Sequence, residues 1–275
     1  GQLGNGGTWM DDQTTPTLTS SLGPGRTAVA LASGEFHTCA ILDNGSVSCW
    51  GKGESGQLGN GGISNTSTPT LVSSLGIGRP AVAISAGDTH TCAILDNGEV
   101  SCWGYGSNGQ LGDGRSSTTQ TTPTLTSSLG SDRTAVAISA GGGHTCAILD
   151  NGSVSCWGKG EDGQLGNGRT IDVTTPTLTS SLGEGRTAVA LSSGRSHTCA
   201  ILDNGEVSCW GEGADGQLGN GGTSNASTPT LTSSLGEGRK AVALSSGWSH
   251  TCALLDNGEV SCWGIGESGE LGNGG

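Results

Sequence analysis

The sequence predicts an all-β fold, a β-propeller of five four-stranded blades of about 53 residues each. Three observations predict it. The stretch HTCAILDNGSVSCWG at His37–Gly51 returns almost unchanged from His90, His144, His197 and His250. The first cysteines of these copies stand 53, 54, 53 and 53 residues apart, and a period of roughly 50 with several short strands per unit marks a propeller. The 275 residues include 53 glycines and are 32% hydrophobic, too little for one large core but enough for thin layers buried by stacking.

Each unit reads as four strands. In the first, Ala28–Ser33 (AVALAS) is strand A, Thr38–Leu42 strand B, Ser46–Trp50 strand C and Thr68–Ser73 (TPTLVS) strand D. Strands B and C flank Asp43-Asn44-Gly45, where Asn and Gly accept the positive φ of a tight hairpin turn. A three-residue loop there sets Cys39 opposite Cys49, and a non-hydrogen-bonded antiparallel pair brings Cα atoms to about 4.5 Å, within reach of a disulfide. Five intra-hairpin bridges are expected: Cys39 to Cys49, Cys92 to Cys102, Cys146 to Cys156, Cys199 to Cys209 and Cys252 to Cys262. Pro69 lacks a donor for a central ladder, which puts strand D at the outer edge. The Gly-rich C–D loop, Gly51–Ser67, carries Gly-Gln-Leu-Gly-Asn-Gly, a loop held by turns that only Gly and Asn adopt cheaply.

The units run approximately 1–55, 56–108, 109–162, 163–215 and 216–268, with a partial copy at 269–275. The chain opens with GQLGNGG and closes with GELGNGG, and Thr15–Thr19 (TPTLT) reads as a strand D with no strand C before it. That strand either completes the last blade and closes the ring, or completes the last blade of a neighbouring copy and propagates a filament.

The succession AVAISAG, HTCAILDNG, VSCWG, GQLGNG and TPT closely resembles the repeat of the regulator of chromosome condensation family, and it covers essentially the whole chain. The resemblance implies a propeller, usually seven-bladed, used as a rigid platform for protein partners. Members include a chromatin-bound nucleotide exchange factor and a secreted inhibitor of β-lactamases. This sequence departs from the family in having five repeats, a cysteine pair in every hairpin and a strongly acidic balance.

Composition narrows the setting. Ten paired cysteines belong in an oxidising compartment, so the expected location is extracellular or at the cell surface. No apolar run approaches the length of a membrane span, so membrane insertion is not expected. The chain begins with Gly rather than Met, and a processed or excised segment is expected. A formal charge of −13 repels phosphate backbones, so nucleic acid is discounted as a partner.

The repeated chemistry has structural explanations. His37, His90, His144, His197 and His250 share one position, which could in principle converge on a metal, but a buried imidazole hydrogen-bonded to backbone between blades accounts for them. Trp50, Trp103, Trp157, Trp210 and Trp263 fall on the strand face opposite the cysteines and read as inter-blade core. The Asp-Asn-Gly turns with Glu54, Glu161, Asp162 and Asp215 lack calcium-loop spacing. No nucleophile elbow, zinc-protease or P-loop pattern occurs, and no carboxylate pair recurs. Neither enzyme activity, cofactor nor metal is expected.

The copies differ at their A–B loops, Glu35-Phe36, Asp88-Thr89, Gly142-Gly143, Arg195-Ser196 and Trp248-Ser249. They differ also at the C–D loops, at Lys52, Tyr105, Lys159, Glu212 and Ile265, and at Trp9-Met10. Alternating strands bring both loop sets to one face. Trp9, Phe36, Tyr105, Arg195 and Trp248 are therefore the candidate partner-binding residues, aromatics and Arg being what binding hot spots favour. Asn65 and Asn225, in long C–D loops, and Asn44 and Asn151, in tight turns, are candidate glycosylation sites. The sequence thus points to a non-enzymatic extracellular module binding a protein or glycan. A filament or surface-layer building block assembled through terminal strands is the alternative, and an enzyme or enzyme inhibitor a distant one.

Overall fold

The computed structural model describes residues 1–7, 12–116 and 119–274. Among them are nineteen strands in five antiparallel sheets. The first blade holds β1 (Ala28–Ser33), β2 (His37–Leu42), β3 (Val47–Gly51) and β4 (Thr66–Leu71); the second β5 (Ala81–Ala86), β6 (His90–Leu95), β7 (Val100–Gly104) and β8 (Gln120–Leu125). The third holds β9 (Ala135–Ala140), β10 (His144–Leu149), β11 (Val154–Gly158) and β12 (Val173–Leu178); the fourth β13 (Ala188–Ser193), β14 (His197–Leu202), β15 (Val207–Gly211) and β16 (Ala226–Leu231). The fifth has β17 (Ala241–Ser246), β18 (His250–Leu255) and β19 (Val260–Gly264).

The hairpin register follows from the turn. Leu42 N–H donates to Ser46 O and Gly45 N–H to Leu42 O, each at 2.8 Å, which sets Ile41 opposite Val47 and Cys39 opposite Cys49. All five bridges form as the spacing predicts, each with a Cα separation of 4.1 Å. The Pro-bearing strand lies outermost in each four-stranded blade. Inner strands pack in succession, β1 on β5, β5 on β9, β9 on β13 and β13 on β17.

One contact repeats at each boundary between blades. Gln57, in the C–D loop of the first blade, is buried, and its carbonyl accepts the Trp103 indole N–H and the Thr91 hydroxyl of the second blade, both at 2.9 Å. Gln110 with Trp157, Gln164 with Trp210 and Gln217 with Trp263 repeat this. Around each lock one blade contributes its cystine, Ile and Val and the next an Ala pair and Trp, as in the cluster of Cys39, Ile41, Val47, Ala81, Ala93 and Trp103. Burying such an indole contributes about 2–3 kcal/mol. Four of the five histidines, His37, His90, His144 and His197, do bridge blades, but to a side chain rather than to backbone: His37 Nε2 meets the Thr91 hydroxyl at 2.8 Å.

The ends differ from the sequence expectation. Residues 12–20 form no strand, so Thr15–Thr19 supplies no fourth strand and the fifth sheet has three. The opening GQLGNGG instead behaves as the C–D loops do: Gln2 O accepts the Trp50 indole N–H at 2.7 Å, and Gly6 N–H donates to Ser67 O at 2.8 Å. Ser20 N–H donates to Gly4 O at 2.7 Å, so the stretch after the opening loop is also tied to the first blade rather than paired with β19. Leu254 and Val260 on the fifth blade are 41% and 65% exposed, where Ile41 and Val47 are at 2% and 1%. Among the described residues no helix is long and apolar enough to cross a membrane.

Candidate binding face

Both variable loop sets stand side by side because backbone bonds tie them. Lys52 N–H donates to Phe36 O at 2.8 Å, Tyr105 N–H to Thr89 O at 2.9 Å and Glu212 N–H to Ser196 O at 2.9 Å. Each tie follows a strand C glycine such as Gly51, whose φ of 105° turns the chain where other residues are strained.

The A–B loops converge because glycines end the inner strands. A Cβ on Gly34 would strike the His37 imidazole and the carbonyl oxygen of Gly87, and Gly87, Gly141 and Gly194 repeat the relationship one blade on. This collar lets the loops close on a shared cavity of about 310 Å³, lined by all five blades and bordered by Glu35, Asp88, Arg195 and Trp248.

Charge is distributed unevenly between the faces. On the uniform face Arg26, Arg79, Arg133, Arg186 and Arg239 pair with hairpin carboxylates Asp43, Asp96, Asp150, Asp203 and Asp256 at 3.1–3.4 Å. These pairs are more than a third exposed and contribute at most about 1 kcal/mol each. On the variable face the Arg195 guanidinium lies 4.1 Å over the Trp248 ring, and Lys52 Nζ 5.3 Å over Phe36. Lys52 also meets Glu54 at 3.7 Å, and Lys159 meets Glu161 and Asp162 at 3.7 and 3.6 Å. Burial, then the neighbouring Glu35, hold the Asp88 carboxyl above its ordinary range against the opposing pull of Arg195. Glu212 is raised by burial and by Asp162 and Asp215.

Of the candidate binding residues, Phe36, Tyr105 and Trp248 are 40%, 38% and 53% exposed, and Arg195 is exposed. Arg195 and Trp248 touch, Phe36 stands apart with Lys52, and Tyr105 has no ring contact with either pair. Trp9 lies outside the described residues. Asn65 and Asn225 are exposed, and their Oδ1 atoms accept the N–H of Gly53 and Gly213 at 2.8 and 3.1 Å. Asp172 does the same for Gly160 in the third blade, so an oxygen acceptor there closes the C–D loop. Asn44 and Asn151 are held in the hairpin turn, each accepting from the N–H and hydroxyl of the Ser two residues on.

Sequence reasoning missed the Gln carbonyl lock, the Arg–Asp pairs and the cavity carboxylates. The Arg–Asp signal was available, an Arg 17 residues before every turn Asp.

A model of the RCC1-like domain matches residues 1–275. The chain belongs to the RCC1-like domain family. It is 34% identical to the ultraviolet-B receptor UVR8 of Arabidopsis thaliana over 252 residues, 91% of this chain and 56% of that one. It is 33% identical over its full length to human E3 ubiquitin-protein ligase HERC2, of which it spans 6%. Yeast RCC1 (Prp20), in its crystal structure with Kap60, superposes on this RCC1-like chain with a TM-score of 0.79 at 22% identity, covering 90% of this chain and 58% of that one. The chain thus spans little more than half of the plant receptor and a small part of the ligase.

Proposed function

We propose that this RCC1-like chain is a non-enzymatic interaction module that offers the variable loops of one propeller face to a protein or glycan, outside the cell or at its surface. The placement of Phe36, Arg195 and Trp248 carries this reading: all stand on one face, and each ring holds a cation against it. Exposed aromatics and Arg on a rigid scaffold are what hot spots are made of. The five bridges support an oxidising compartment. Yeast RCC1, a propeller of this fold found bound to Kap60, supports a reading in which the fold holds a protein partner.

The test compares affinity capture on immobilised wild-type protein, on F36A/Y105A/R195A/W248A and on R79A/R133A, which alters the uniform face. Species retained by the first and third but lost from the second are the expected result. Retention unchanged by the quadruple substitution would remove the face from consideration.

A further inference from the structure

We propose that the cavity at the centre of the variable face takes a lysine or arginine side chain of a protein partner, with Glu35 and Asp88 as counter-charges and Trp248 as an apolar wall. This rests on the face reading above and selects, between protein and glycan, a protein with a basic segment.

The glycine collar around the cavity has its donors paired and part of its acceptors free. The N–H groups of Gly34, Gly87, Gly141, Gly194 and Gly247 are all spent on histidine carbonyls at 2.9 Å, whereas the carbonyls of Gly87, Gly141 and Gly247 accept no hydrogen bond among the described residues. Neither Glu35 nor Asp88 has an ion-pair partner among the described residues, in contrast to the five hairpin aspartates of the other face. The local cation, Arg195, stacks on the Trp248 ring and pulls on the Asp88 carboxyl from a distance without pairing with it, and burial and Glu35 outweigh that pull.

Asp88 reaches across a blade boundary. A Cβ on Gly142 of the third blade would stand 3.1 Å from Asp88 Oδ2 and 2.7 Å from Arg195 O, so a glycine there keeps the carboxylate's space open. Partial burial and the like charge of Glu35 both penalise the ionised carboxyl. A cation between the two carboxylates relieves both effects. Sugar hydroxyls would leave the charge uncompensated, and an anion would face a chain of net charge −13. At about 310 Å³ the cavity is at the small end for ligand sites, suited to one side chain entering from a larger docked surface.

The probe is a fluorescein-labelled, end-blocked Gly-Arg-Gly-Arg-Gly peptide and its citrulline twin, which keeps the shape and removes the charge, followed by anisotropy. The wild type is expected to bind the arginine peptide at least tenfold more tightly than the citrulline one. E35Q/D88N should abolish that preference. E99Q/E206Q, which removes two charges from the opposite face, should retain it. Equal binding of the twins by the wild type, or equal loss in E99Q/E206Q, overturns the proposal. If the preference is absent while the quadruple alanine variant still loses its captured partners, the face reading stands and the cation site alone falls.

Discussion

His90 Nε2 and Thr145 Oγ1 lie 2.9 Å apart across the boundary between the second and third blades. The Thr145 proton is directed to the Gln110 carbonyl at 3.0 Å, so the imidazole must be the donor, and its neutral Nε2–H tautomer follows. Nδ1 is then bare, buried and without a partner, as it is in His37, His144 and His197.

Acid should therefore loosen the blades. Burial, the leading cause, lowers His90 and His144 to about 3, and His37 and His197 to about 4. Unfolded histidine titrates at about 6.5. Between those values the unfolded chain binds protons that the folded one refuses, so stability is full above pH 7 and falls as pH drops toward 4. Each imidazole contributes up to about 1.4 kcal/mol per pH unit. Urea unfolding at pH 7.5 and pH 5 should show the loss, and H90Q/H144Q should flatten it.

Trp103→Ala removes an indole from a blade interface and should cost about 3–5 kcal/mol. Trp103→Phe keeps most of the packing and loses one of the two donors to Gln57 O, and should cost about 1–2 kcal/mol. Denaturant midpoints separate the two, and a Trp103→Phe midpoint equal to wild type would mean that the carbonyl lock contributes nothing.

Gly87→Ala should destabilise by about 1–3 kcal/mol through overpacking, since the added methyl meets the Gly141 carbonyl and the His90 ring. Gly143→Ala is the control, because the nearest atom to its added Cβ is Lys159 Cβ at an ordinary 3.4 Å. Thermal melts of the pair should differ by several degrees.

Cys146→Ala with Cys156→Ala should lower stability by about 2–3 kcal/mol, the chain-entropy value for so short a loop. Thiol titration of denatured, unreduced wild type should find none of the ten cysteines free.

Expression through a glycosylating secretory pathway should add mass at Asn65 and Asn225, which are exposed and bond the loop glycine through Oδ1; the Asn65 Nδ2 also donates to Glu54 Oε1 at 3.4 Å, a long bond that modification would displace. Intact mass of wild type and of N65Q/N225Q checks this. The bare-chain mass in both would show that the asparagines serve loop closure alone.

What was legible in the sequence was whatever repeats within a hairpin. The Asp-Asn-Gly turn, the cystine opposite it and the outward Pro strand all depend on neighbours within a dozen residues or on one backbone rule. The Gln57 carbonyl was hidden because its partners stand 34 and 46 positions away, and no local period reports a contact between units. Tandem identity masked it further, since every unit carries donor and acceptor alike. Thr15–Thr19 misled for a related reason: it has strand D composition, but composition does not say which blade is within reach. The face residues were found by the opposite signal, difference among copies, yet Glu35 and Asp88 gained meaning only once the glycine collar brought their loops together.

Every disulfide closes within a single hairpin, so no covalent link other than the main chain joins one blade to the next. Tension applied to the two termini would therefore load only non-covalent contacts between blades, the Gln–Trp locks, the His–Thr bonds and the cores beneath them. The array would yield one blade at a time, each rupture releasing less slack than a unit contains because the segment inside its bridge stays closed. Reducing agent would lengthen those steps without changing their number.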